Sequence, residues 1–248
     1  MKKFELFGIN ISLDGYDMLV KTFIEIKPIS FCCVNKFYLN RAYTDIKYKY
    51  LLQQFDLIHP DGIGVYLAIR FLSGFKINPP KITGSDLYWK IIERLEVNNL
   101  SLYILGDSQD VLNKAIGSIK EKYPDLRLVG SHHGYIEISD NNIIENIAET
   151  KPDVIFVGLG IKKQEEWVNK WKYNFPNSRI IAVGGGLRVI SGDRPRGSKF
   201  IQKIGLEWFI RFIYNPKQYW KRYLIGIPLF IFRVIKEKFK SKKLNEKI

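Results

Sequence analysis

The chain has 248 residues, 46% of them hydrophobic, with 19 glycines and 10 prolines. That is enough apolar material for one substantial core, and the composition is neither fibrous nor low in complexity. It contains no run of about 18 apolar residues, so no spanning helix is expected, and residues 1–14 lack the apolar stretch and cleavage site of a signal peptide.

Charge is unevenly spread. Of the net +14, residues 188–248 carry 16 Lys/Arg against 4 Asp/Glu, which leaves the earlier part at +2. The expected plan is a near-neutral body with a basic extension for an anionic partner.

Taken in chain order, residues 4–11 and 18–26 are short apolar segments that read as a strand and a helix. Residues 29–34 (ISFCCV) are a β-rich run ending at Asn35. Its neighbouring Cys32 and Cys33 are too close for a structural disulfide and read as part of a buried strand in a reducing cytoplasm. Residues 41–54 place Ala42, Ile46, Tyr50 and Leu51 at helical spacing, and 55–58 is a short strand stopping at His59-Pro60-Asp61-Gly62. An apolar helix over 87–95 follows Thr83-Gly84-Ser85-Asp86, with Ser85 or Asp86 expected as its N-cap.

Beyond it, strands at 102–105, 126–130, 154–157 and 180–183 alternate with helices at 109–122, 143–149 and 164–171. Crossovers of helix length imply parallel pairing. The expected fold class is therefore α/β, a Rossmann-like parallel sheet with helices on both faces. A catalytic body over 1–190 and a helical, membrane-docking appendage over 191–248 are the expected divisions.

The C-terminal quarter sets Leu206, Phe209, Ile210, Ile213 and Tyr214 at helical spacing, followed by the apolar run YLIGIPLFIF at 223–232. That run is too short to span a bilayer, and Pro228 is expected to break the helix. Lys221, Arg222, Arg233, Lys236, Lys238, Lys240, Lys242 and Lys243 flank it. Such a pattern fits an interfacial segment on an anionic leaflet. The alternative is a helix that packs its apolar face on the core.

In an α/β sheet of this kind ligands bind at the carboxyl ends of the strands, which directs attention to Asn35, 59–64, Gly106-Asp107, 158–164 and 184–186. The turns Gly158-Leu159-Gly160 and Gly184-Gly185-Gly186 would let backbone N–H groups approach phosphate. Neither matches the dinucleotide fingerprint, no Walker lysine follows, and tight strand–helix turns explain such glycines equally well. Asp61, at a strand end, is either a general base in the cleft or a turn aspartate bonded to its own loop. His132 and His133, neighbours in a strand, are expected to point to opposite faces, which argues against a shared metal. No Asp-x-Asp occurs in the sequence. No metal or cofactor is expected, and a leaving diphosphate would instead need protein cations, available in Arg194, Arg196, Lys199, Arg211, Lys221 and Arg222.

Several of these motifs, in order, resemble the WecG/TagA/CpsF glycosyltransferases. They are Val34-Asn35 after a strand, DLIHPDGIG at 56–64, TGSDL at 83–87, GLGIKKQEEW at 158–167, and 184–223 with Arg196, GLEWFIRF and NPKQYWKRY. The resemblance covers about residues 30–223. It implies an inverting, metal-independent transfer from a UDP-sugar donor to a polyprenyl-diphosphate-linked saccharide. The setting would be the cytoplasmic face of the membrane, in cell-wall or surface-polysaccharide synthesis, with no nucleic-acid partner.

By the same resemblance Asp61 would be the base and Asn35 would orient substrate beside it. Gln164 would line the donor pocket, with Thr83, Gly184, Gly185 and Arg196 also in contact with substrate, and Arg211, Lys221 and Arg222 would reach over the diphosphate. The chain departs from the family pattern at Cys33 (often Thr), Lys81 (often Arg), Leu187-Arg188 (often an aromatic-acidic pair) and Gln218 (often basic). These departures bear on the donor more than on the reaction class. A basic nucleic-acid-binding protein is the competing reading, but no recognised nucleic-acid motif is present. A nucleotide-dependent oxidoreductase would need a true fingerprint. In solution the appendage would be either disordered or shielded in a homo-oligomer.

Overall fold

The computed structural model describes residues 2–245, with only the backbone described at Lys199, Lys203 and 241–245. The side chains of Lys199, Lys242 and Lys243, three of the expected cations, therefore lie outside the described residues.

The chain opens on a hairpin of β1 (Lys3–Leu6) and β2 (Ile9–Ser12). Where a single strand was expected over 4–11, Phe7 and Gly8 turn at φ 56° and 80°. Both values suit a tight two-residue turn. Phe7 tolerates its conformation while burying its ring edge-on against Tyr43 and Phe230.

After α1 (Tyr16–Glu25) come the strands of the main sheet: β3 (Ile29–Val34), β4 (Leu57–Pro60), β5 (Ser101–Gly106), β6 (Arg127–His132), β7 (Val154–Gly158) and β8 (Arg179–Ala182). All pair in parallel, in the order β4-β3-β8-β7-β5-β6. The two-residue period of a strand divides the core. Phe31 and Cys33 face one apolar cluster while Cys32 and Val34 face the other. One side is covered by α2 (Lys36–Thr44), α3 (Ile46–Gln53), α4 (Ile63–Leu72), α7 (Asn141–Glu149) and α8 (Lys163–Trp171). The other is covered by α1, α5 (Gly84–Val97), α6 (Gln109–Lys122) and α9 (Gly186–Ile190).

Cys32 and Cys33 are free and buried. Burial pushes both thiols well up, so they remain protonated and act as small apolar fillers.

The single helix expected over 41–54 is two. Asp45 is extended and its carboxylate accepts from the Tyr48 N–H at 2.9 Å, which ends α2 and caps α3. Helix α2 itself begins earlier than expected, at Lys36, because Asn35 caps it.

The C-terminal quarter forms α10 (Lys199–Ile204), α11 (Glu207–Tyr214), α12 (Pro216–Trp220), a π turn at Lys221–Ile225 and α13 (Gly226–Asn245). Pro228 does not break the helix; it sits in the first turn of α13. Its ring would clash with the carbonyl of Leu224 in a regular helix. Leu224 lies in the π turn, whose wider winding gives that carbonyl room.

Helix α13 returns to the body. Phe230 and Val234 join the main core cluster, and the Arg233 guanidinium bonds the Asn40 carbonyl at 2.6 Å. Asn40 Nδ2 donates to Gly226 O at 2.8 Å. The opposite face is apolar and exposed, with Leu224, Ile225, Ile231, Phe232 and Phe239 pointing outward. The core-packing reading therefore describes the inner face of this segment, while its outer face stays apolar and exposed. Among the described residues no helix is long and apolar enough to cross a membrane.

Candidate active site

The carboxyl ends of β3, β4, β5, β7 and β8 open into a cleft of about 580 Å³, walled on its far side by α11 and the π turn. Asn35, Asp61, Thr83, Gly184, Gly185, Arg211 and Arg222 all line it. The expected site residues Gln164, Arg196 and Lys221 do not.

Asp61 leaves β4 with its N–H bonded to the Val34 carbonyl at 2.9 Å, which locks it to the end of β3. Its Oδ1 accepts from the Gly84 N–H at 2.9 Å, and Asn35 Nδ2 donates to its Oδ2 at 3.4 Å. Asn35 turns its other amide atom inward, where Oδ1 accepts the Phe37 N–H and caps α2. One side chain thus starts a helix and braces the carboxylate. The partners of Asp61 come from a neighbouring strand end and from α5, not from its own turn. Such bracing fixes the orientation of the carboxylate while leaving lone pairs for a proton.

Thr83, rather than Ser85 or Asp86, is the N-cap of α5: its Oγ1 accepts from the Asp86 N–H. This frees the Asp86 carboxylate for Arg196, whose Nη1 donates to it at 2.6 Å. Arg196 Nη2 bonds Glu207 at 3.0 Å, and Arg211 Nη2 bonds the second Glu207 oxygen at 2.6 Å. Burial opposes the charges, but the hydrogen bonds to Asp86 and Glu207 override it and raise the Arg196 pKa. Arg196 is thus a clasp that joins α5 to α11.

Arg222 is placed differently. Its guanidinium stacks 4.0 Å from the Phe37 ring centroid, and its buried Nε has no hydrogen-bond partner among the described residues. The Arg211 Nε is likewise buried without a partner. Burial pulls the Arg222 pKa down, which marks a charge that an incoming anion would stabilise. Lys221 points away and lies over the Trp220 ring. Arg188 is held by Asp107 through Nε and Nη2 at 2.8 and 2.9 Å.

Gln164 is fully buried behind the cleft wall. Its Oε1 accepts the Gly184 N–H at 2.9 Å, and its Nε2 donates to Tyr38 Oη and to Glu165 Oε1. Burial raises the Glu165 carboxyl to about 7. The Gly186 N–H is bonded to Val183 O. Two of the three N–H groups of the glycine turn are therefore already used within the protein. Gly184 is required instead by its φ of 53°, and a side chain there would meet the Tyr38 hydroxyl. Gln164→Ala would leave the Gly184 N–H unsatisfied at a cost of about 1–3 kcal/mol. A melting temperature several degrees lower is the expected result in thermal denaturation.

His132 and His133 do not point to opposite faces, because β6 ends at His132. Their rings lie 4.4 Å apart, and His132 Nδ1 contacts the His133 carbonyl. Among the described residues no three His, Cys, Asp or Glu side chains gather as a metal-ligand set.

Lys36, Glu207, Trp208 and Tyr223 also line the cleft and were not singled out by sequence. Lys36 had a visible signal, its place directly after Asn35 at a strand end. It fell outside the helix expected from 41 onward.

The Glycosyl transferase WecG/TagA/CpsF family model matches residues 4–244. Similar curated proteins include the N-acetylglucosaminyldiphosphoundecaprenol N-acetyl-beta-D-mannosaminyltransferases of Staphylococcus aureus strains MW2 and NCTC 8325. Each is 33% identical over 207 residues, covering 83% of this chain and 79% of the relative.

Proposed function

Since the chain belongs to the WecG/TagA/CpsF family of glycosyltransferases, we propose that it moves a sugar from a UDP-sugar to N-acetylglucosamine linked to a polyprenyl diphosphate. The transfer inverts the anomeric carbon, needs no metal, and takes place at the cytoplasmic face of the membrane in cell-wall or surface-polysaccharide synthesis.

One observation carries this reading. Among the described residues three carboxylates line the cleft; Asp107 is engaged by Arg188 and Glu207 by Arg196 and Arg211, which leaves Asp61 without an ion-pair partner. An acceptor hydroxyl gives its proton to Asp61 as its oxygen attacks the anomeric carbon. The bond from that carbon to the diphosphate breaks on the opposite side, and UDP leaves with the electron pair. A single base and a direct displacement give inversion, in keeping with the β-linked product in the names of the relatives. Arg211 and Arg222 offer donors to the departing charge, as a metal would elsewhere.

The membrane surface is supported by the exposed apolar face of the π turn and α13, beside the exposed Lys236 and Lys240. The competing reading, a nucleic-acid binder with a basic tail, finds no support in a cleft that pairs a braced carboxylate with closely packed arginines.

The test is a panel of UDP-sugars with a short-chain lipid-diphosphate N-acetylglucosamine, run in EDTA. We expect one donor to be consumed, a β-linked product, and a rate unchanged by the chelator. Strict Mg²⁺ or Mn²⁺ dependence, or retention of configuration, would overturn the reading.

A further inference from the structure

Lys36 is the first residue of α2 and lines the same cleft as Asp61. Its Nζ lies 5.2 Å from the ring centroid of Phe37, 5.6 Å from that of Trp208 and 5.7 Å from that of Tyr223. Phe37 belongs to α2, Trp208 to α11 and Tyr223 to the π turn, so the cage is assembled from both sides of the cleft.

Among the described residues no carboxylate lies within ion-pair distance of Lys36 or of Arg222. These two cations share the Phe37 ring as a partner. Rings hold a cation without neutralising it, so the pair keeps a positive charge that faces the cleft.

The charged and titratable groups around the ammonium come from every neighbouring element. Asp61 follows β4, Arg222 and Tyr223 come from the π turn, and Arg211 and Glu207 come from α11. Helix α4 faces it with Gly64, where an added Cβ would lie 3.5 Å from Lys36 Cδ.

We infer that Lys36 is a substrate-binding residue that grips a substrate diphosphate from the body side of the cleft, opposite Arg222. The inference rests on the proposed diphosphate-linked reaction and adds to it a cation from the α/β body. The grip makes binding sensitive to pH. Burial first, and Arg222 second, lower the Lys36 pKa to about 8, with Asp61 opposing them. The free protein therefore loses this charge as pH rises through about 8, whereas a bound dianion would hold the proton on. Diphosphate affinity should fall as pH climbs through that value.

The experiment is calorimetric titration of UDP, inorganic pyrophosphate and a short prenyl diphosphate into the full chain, Lys36→Arg and Lys36→Met, between pH 7 and 9. Lys36→Arg keeps the charge throughout and controls for titration of the ligand itself. For the wild type, affinity is expected to drop about tenfold more than for Lys36→Arg across this range. Lys36→Met should be weaker by about tenfold already at pH 7, and thermal melting verifies its folding. A loss confined to UDP would assign the donor's diphosphate; one confined to the prenyl ligand would assign the acceptor's. Wild-type affinity in Lys36→Met, or coincident pH profiles for wild type and Lys36→Arg, would overturn the inference while leaving the proposed function standing. Failure of the wild type to bind any of the three would bring down both.

Discussion

Asp61→Asn is expected to lower transfer by about 10²–10⁴-fold while leaving folding and donor binding intact. The substitution changes one atom and removes a charge. The new amide keeps an oxygen for the Gly84 N–H, now 2.9 Å from Asp61 Oδ1. The Asn35 contact at 3.4 Å is weak and its loss costs little. The Val34 carbonyl is bonded by the backbone and is untouched. What disappears is the proton acceptor at the strand end, so the loss should fall on kcat and not on KM for the donor.

Steady-state kinetics with a defined acceptor, beside a melting curve, separate the two effects. A rate within tenfold of wild type would make Asp61 an orienting group and not the base. Asp61→Glu is a useful companion. It restores the charge but pushes the carboxylate about one bond too far, and displacements of that size are costly in a prearranged site.

Much of this architecture is legible in the sequence because buried parallel strands are short, continuous apolar runs with helices between them. Residues 29–34, 154–157 and 180–183 read as strands for that reason, and the structure places β3, β7 and β8 there. The strand order β4-β3-β8-β7-β5-β6 is not legible, since right-handed crossovers fix the sense of each connection but not its destination.

Local competition explains the missed boundaries. Asn35 closes a strand and caps a helix with one side chain, so α2 begins where a loop was expected. Thr83, Ser85 and Asp86 are all competent caps; Thr83 takes the position, and the Asp86 carboxylate is held by Thr83 and by Arg196 from the far end of the chain. Pro228 reads as a helix breaker because nothing in the sequence announces the π turn before it.

The candidate site shows the same division. Asp61 is visible from its place at a strand end, but its braces come from residues 26 and 23 positions away in sequence. Gln164 is visible as part of a motif, yet it acts on the Gly184 turn from behind the cleft wall. Lys36 is visible only by its place after Asn35, because its cage is closed by Trp208 and Tyr223 from the far end of the chain.

Deletion of residues 191–248 is expected to abolish transfer even to a short-chain acceptor that needs no membrane. It should also lower the melting temperature. The catalytic argument is direct: the truncation removes Arg211 and Arg222, opens the cage around Lys36, and leaves Asp86 without Arg196. The stability argument follows from α13. Phe230 and Val234 are buried in the main core cluster, and their loss uncovers Phe7 and neighbouring apolar surface. Each such side chain contributes about 1.5–3 kcal/mol on burial, so the truncated body is expected to be less stable as well as inactive.

The choice of acceptor decides between two roles for this segment. If it served only to dock on lipid, the truncated chain would keep its rate on the short acceptor and lose it on a long-chain acceptor in anionic vesicles. If it supplies the cations, both rates collapse together. Vesicle sedimentation of the full chain, weakened by salt, would show the surface role independently. The cleft geometry favours joint collapse, because the helices that present the outward apolar face also carry Arg222 inward to the ring of Phe37. Docking and charge stabilisation would then be two faces of one helical segment, and deletion from residue 191 removes both.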